Sequence, residues 1–126
     1  MWNGLLIFLG GGAGALARHF MGMAVSRYAG GHSFPWHTLL INLTGAFLIG
    51  VITEYMALKS NLPEATRFLL VVGFLGGFTT FSAFSLESSL MLERGDYAAC
   101  AAYIAASVMG TIALVFAGTA AVRTVI

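Results

Sequence analysis

Charge is what this chain has least of. Its 126 residues include five acidic and six basic side chains, 9% in all, against 59% hydrophobic ones. The mean hydropathy is +0.89. A soluble domain usually carries about 25% charged residues, so the scarcity excludes that class and leaves a membrane protein. The net charge is +1 with no basic run, which gives a nucleic-acid backbone nothing to bind. The single cysteine, Cys100, excludes an intrachain disulfide and a cysteine metal cluster. In its apolar segment it reads as a small packing residue. The sequence has no Ser/His/Asp set at membrane depth, no His/Cys cluster with metal spacing and no phosphate loop. It does not read as an enzyme.

What the chain has instead is apolar length. A bilayer crossing takes about 20 apolar residues, and four such segments fit, at about 2–25, 36–56, 66–92 and 97–122. The expected fold is an all-α membrane protein, a single transmembrane domain of four helices over residues 1–126, without repeat, linker or second domain. Four helices enclose little interior, so a homo-oligomer in the lipid bilayer is expected. The first span is rich in small residues (Gly10, Gly11, Gly12, Ala13, Gly14, Ala15, Ala17), which let helix backbones approach closely. Ala13-Gly14-Ala15 resembles a signal-peptide cleavage site, but no basic stretch precedes it, and the segment is read as a span. Pro35 fits the first turn of the second helix, Pro63 opens the third, and Glu93-Arg94-Gly95-Asp96 makes a tight turn before the fourth. His19, His32 and His37 fall in or near the first loop and its helix ends, where structural or interfacial roles are expected. Glu54, near a helix end, is read as interfacial. Asn42-Leu43-Thr44 matches a glycosylation sequon but lies at membrane depth, so the match is discarded.

Four crossings put both termini and the second loop on one side, with Lys59, Arg67 and Arg123. The other side holds Arg27, Arg94 and Arg18. Orientation follows an excess of Lys and Arg on the cytoplasmic side, and here the two sides balance. Either small numbers hide a weak bias, or the chain inserts both ways and pairs as an antiparallel dimer. Such a dimer has a two-fold axis in the membrane plane, like that of inverted transporter repeats.

Within the third span, Gly73-Phe74-Leu75-Gly76-Gly77-Phe78-Thr79-Thr80-Phe81-Ser82-Ala83-Phe84-Ser85 crowds glycines, hydroxyls and phenylalanines together. Adjacent glycines destabilise a helix by roughly 1 kcal/mol each relative to Ala, and threonine hydroxyls bond local backbone groups. The helix is therefore expected to break at Gly76-Thr80. Carbonyls ahead of the break lose their partners, which lipid does not tolerate. A cation coordinated by main-chain oxygens answers that need, as Na+ does in unwound transporter helices. After the break, Phe81 and Phe84 share one helix face. Turned edge-on they touch a small anion, and turned face-on they favour a cation; the plain alternative is ordinary helix packing. Intramembrane polar side chains are read as functional by default. Asn42 either glues two helices together or offers amide N–H groups to an anion. Arg18 either snorkels to the interface or stands in a water-filled entrance. Glu87 lies about two turns beyond the break.

These residues resemble the Fluc (CrcB-type) fluoride channel family. The family's Gly-Gly-x-Thr-Thr-Phe-Ser-x-Phe stretch is met by Gly76-Gly77-Phe78-Thr79-Thr80-Phe81-Ser82-Ala83-Phe84. The first span carries the family-like run Gly11-Gly12-Ala13-Gly14-Ala15-Leu16-Ala17-Arg18, and the second carries Pro35-Trp36-x-Thr38-Leu39-x-x-Asn42-x-x-Gly45. The similarity covers essentially the whole chain. It implies a multi-pass protein of the bacterial inner (plasma) membrane, an antiparallel dual-topology homodimer with two pores. Through them fluoride leaves the cytoplasm passively, relieving its toxicity. It also implies a structural Na+ at the dimer centre, held by main-chain oxygens of Gly76 and Thr79 from both subunits. By the same resemblance Phe81 and Phe84 line the fluoride path, Asn42 is the pore asparagine, Arg18 stands near the pore entrance, and Glu87 is the acidic residue on the third span. Ser82, Tyr103, Ser107 and Thr111 are candidates for the polar side of the pathway. Ala83 departs from the pattern: many members have Thr there, so a hydroxyl rung is missing and slower or differently tuned conduction is expected.

Two other classes compete. A four-span proton-coupled drug exporter needs a deep carboxylate in its first span, and residues 2–25 contain no Asp or Glu. A structural or assembly subunit without transport leaves the Gly/Thr/Phe break and Asn42 without a task.

Overall fold

The apolar segments form four helices long and apolar enough to cross a membrane, in a computed structural model that describes residues 1–31, 33–59 and 61–126. His32, assigned above to the first loop, lies outside the described residues. Helix α1 is Trp2–Ala29 and α2 is Trp36–Leu58. The third span, Glu64–Glu93, comes in two halves, α3 over residues 64–78 and α4 over Phe81–Glu93. Helix α5, Tyr97–Val125, completes the chain. Among the described residues all regular structure is helical.

Local chemistry sets the helix ends. Pro35 and Pro63 each stand one position before a helix rather than inside its first turn. The Pro35 carbonyl accepts the Leu39 N–H at 3.2 Å, so the proline takes the cap position, where its carbonyl already serves the helix. At the other end of the third span, Asp96 N–H reaches the Met91 carbonyl (2.9 Å) and Gly95 N–H the Leu92 carbonyl (3.0 Å). This is the Schellman pattern of helix termination. It requires Gly95 at φ +81, where a Cβ is unfavourable.

Helix α1 runs along α3, α2 runs along α5, and α4 lies against α5 and α2. Small residues permit these contacts. A Cβ on Gly14 would strike the Phe74 carbonyl, and one on Gly77 the Gly11 carbonyl. Close backbone packing of this kind drives association in lipid, where apolar burial alone does not. Gly76 and Gly77 stay helical although they lower helix propensity, and Gly77 serves the α1 contact. Helix α3 is π-helical over Phe68–Leu75, an i→i+5 winding that is rare and frequent near functional sites.

A buried cluster of Leu39, Phe84, Met91, Cys100 and Tyr103 lies where α2, α4 and α5 meet. Cys100 is buried there, the packing residue its setting suggested. Phe8, Phe20, Phe81, Met109 and Phe116 instead face outward, on a surface suited to lipid or another helix rather than water. Glu54 accepts from Arg123 Nε at 2.7 Å, joining the ends of α2 and α5.

Candidate functional site

The break in the third span occupies two residues. The N–H and Oγ1–H of Thr79 both donate to the Leu75 carbonyl, at 3.0 and 2.9 Å, and close α3. Thr79 (φ −82, ψ 159) and Thr80 (φ −151, ψ 114) then run extended, a conformation that suits β-branched side chains. Thr80 Oγ1 caps α4 by accepting the Ala83 N–H at 3.2 Å. The interruption therefore falls at the C-terminal end of the expected Gly76-Thr80 stretch. Gly45 makes room for it, because a Cβ there would strike the Thr79 methyl group.

Side chains from two other helices hold the extended pair. Asn42 Oδ1 accepts the Thr80 N–H at 2.8 Å, and Asn42 Nδ2 donates to the Thr80 carbonyl at 2.9 Å. In an unbroken helix that N–H would close onto the Gly76 carbonyl, so Gly76 loses its usual partner. From α1, Arg18 Nη1 donates to the Thr79 carbonyl at 3.1 Å. Asn42 thus joins two helices and still keeps one amide hydrogen uncommitted to Thr80.

Two cavities meet at the break. One, of about 380 Å³, is lined by Asn42, Gly76, Thr79, Thr80, Phe81, Phe84, Ser107 and Thr111 among others. The other, of about 690 Å³, is lined by Arg18, His37, Thr38, Thr80, Ser82, Ala83 and Glu87 among others. In the first, the rings of Phe81 and Phe84 lie 5.3 Å apart, on one face as their spacing requires. Their settings differ. Phe84 is 9% exposed and packs on Tyr103, whereas Phe81 is 76% exposed in the isolated chain. Ser107 Oγ is buried and has no hydrogen-bond partner among the described residues. Thr111 instead bonds back to the Ser107 carbonyl at 2.6 Å. Ser82 Oγ lies 3.3 Å from Thr80 Oγ1 on the side of the second cavity.

Glu87 gathers a separate polar cluster. Thr38 donates to its Oε1 at 2.7 Å, the Tyr103 hydroxyl donates to Oε2 at 2.7 Å, and His37 Nε2 lies 3.1 Å from Oε1. Tyr103 lines neither of the two cavities and reaches Glu87 from behind Phe84. Thr38, Thr80 and His37 were not among the candidates. The signal for Thr38 was its place four residues before Asn42, hence on the same helix face. Ala83 lines the second cavity, where it has a methyl group in place of a hydroxyl.

The groups at the break that could coordinate a cation are main-chain oxygens. The Gly76 carbonyl is released from the helix at an exposed position, and the Thr79 carbonyl keeps a second lone pair beside its Arg18 bond. Side chains do not compete: among the described residues no group of three His, Cys, Asp or Glu could hold a metal.

The sequence is similar to known proteins over most of its length. The family model described as CrcB-like protein, Camphor Resistance (CrcB) matches residues 5–119. A protein of Rhodopseudomonas palustris (strain BisB5) named fluoride-specific ion channel FluC is 46% identical over 121 residues, 96% of this chain and 97% of its own length. One of Rhizobium etli with the same name is 47% identical over 126 residues, the whole of both chains. A third, of Nitrobacter hamburgensis, named fluoride-specific ion channel FluC 1, is 45% identical over 119 residues, 94% of each chain.

Proposed function

The chain belongs to the CrcB family, a family of membrane ion channels and not of enzymes, and from that premise we propose that it is a fluoride-selective channel. It would release fluoride passively from the cytoplasm across the bacterial inner membrane. One observation carries the chemistry: the first cavity sets the Ser107 hydroxyl, which has no hydrogen-bond partner among the described residues, and the Asn42 amide beside the Phe81 and Phe84 rings, and none of its described lining residues is a carboxylate. Hydrogen-bond donors and aromatic edges are what a small desolvated anion needs in place of water. The same donors suit a cation poorly.

The functional unit in this proposal is two chains. Phe81 stands exposed beside polar groups of the break, and such groups must be covered at membrane depth. A second copy in antiparallel orientation covers them, and the even split of Lys and Arg between the two sides supports insertion both ways. Each chain then contributes one pathway, giving two pores. The Gly76 and Thr79 carbonyls of both chains would hold a Na+ between them, which when bound offsets their dipoles. Asn42 and Arg18 hold the Thr79-Thr80 backbone extended, and a cation at the Thr79 carbonyl would share that oxygen with the Arg18 guanidinium.

A planar bilayer containing the purified protein, with fluoride on one side and chloride on the other, tests the proposal. A reversal potential that follows the fluoride gradient supports it; one that follows chloride, or the absence of any protein-dependent current, overturns it.

A further inference from the structure

Glu87 lines the cavity that meets the proposed anion path at Thr80, and a fixed negative charge there opposes the approach of an anion. Its neutral donors, Thr38 and Tyr103, satisfy the oxygens without changing that charge. Among the described residues its third partner, His37, is the one contact that can bring a positive charge, with Nε2 at 3.1 Å from Oε1. In the isolated chain the His37 side chain is 43% exposed and that of Glu87 19%.

Position matters as much as contact. His37 and Glu87 line both the cavity that holds Arg18 and Ser82 and a third one, of about 360 Å³, that opens toward Ser33 and Arg94 at the loop end. They stand where these two spaces adjoin. We infer that His37 is a further residue of the ion pathway, a positioning residue that caps Glu87 and, when protonated, offsets its charge at the loop-side mouth. This rests on the fluoride-channel proposal and adds to it a residue with a charge that can change.

The surroundings contain other charges, and each is accounted for. Arg94, from the end of α4, lines the loop-side cavity but is paired with Asp96 at 3.0 Å. Arg18 and His19, from α1, line the cavity on the other side. The Tyr103 hydroxyl, from α5, faces the opposite carboxylate oxygen from His37. Imidazole changes charge between about pH 5 and 8. With neutral imidazole the His37–Glu87 pair carries one negative charge, and with imidazolium it carries none. The imidazolium form therefore favours the entry of an anion.

The test is fluoride efflux from liposomes, followed with a fluoride electrode from pH 8 to pH 6, with protein-free liposomes subtracting the leak of hydrogen fluoride. Wild-type flux should rise about threefold or more as the pH falls. His37→Gln and Glu87→Gln should each abolish the rise. His37→Lys, which stays positive throughout, should give flux that does not vary with pH. A flat wild-type profile, or a His37→Gln protein that keeps the slope, removes His37 from the pathway while leaving the channel proposal standing. Absence of wild-type fluoride flux at every pH overturns both.

Discussion

Asn42 pairs with both main-chain groups of Thr80, at 2.8 Å to the N–H and 2.9 Å to the carbonyl. A side-chain amide thereby supplies what a neighbouring strand supplies in a sheet, and a residue at membrane depth stays extended without an orphaned donor or acceptor. One side chain both shapes the site and faces the cavity, so its replacement should affect stability and transport together.

Asn42→Asp makes that visible. The carboxylate still accepts the Thr80 N–H but sets an oxygen against the Thr80 carbonyl, losing one hydrogen bond and adding repulsion. We expect a loss of about 1–3 kcal/mol in stability in detergent, accompanied by loss of fluoride flux. Thermal unfolding and efflux measured on the same preparation check it. Wild-type behaviour in both would show that the paired geometry is dispensable.

Phe81 and Phe84 should separate by their settings. Phe81 is exposed in the single chain, so Phe81→Ile should leave the chain folded and dimeric while lowering flux about tenfold, the worth of roughly 1.4 kcal/mol of ring contact. Phe84 is buried against Tyr103, so Phe84→Ala should also reduce thermal stability. Equal stability losses for the two variants would argue that both rings simply pack.

Much of this was legible in the residues, and the gaps have physical causes. The four spans follow from apolar length, and the end of α4 follows from Gly95, whose positive φ closes the turn. The break is expected at Gly76-Thr80 from the glycines and the threonine hydroxyls together, and only the threonines carry it. In the fold Gly77 serves the contact with α1, and the extended backbone belongs to Thr79 and Thr80. The π-helical winding of Phe68–Leu75, a segment that packs against α1, left no mark in the pattern. Thr38 could have been found from its i,i+4 relation to Asn42. His37 could not, because its partner Glu87 lies 50 positions away in another helix.

The close helix contacts allow a direct test of packing. A methyl group at position 77 meets the Gly11 backbone carbonyl, which cannot move aside as a side-chain tip would. Gly77→Ala should destabilise the protein by about 1–3 kcal/mol, read as a lower midpoint of thermal unfolding. Gly12→Ala should not, since a Cβ there meets nothing within 4 Å. Equal midpoints would contradict the packing described for α1 and α3.

Dual topology has its own measurement. With Lys and Arg evenly divided between the two sides, a C-terminal tag should be reached by impermeant label from both faces of the membrane. Labelling from one face alone would remove the antiparallel dimer.

Fluoride selectivity is tested most directly by efflux from liposomes containing the purified protein, loaded in parallel with fluoride or chloride. A channel built around Asn42, Ser107 and the two phenylalanines should empty the fluoride-loaded vesicles rapidly and leave chloride inside. Equal release of the two anions, or release of neither, would contradict it.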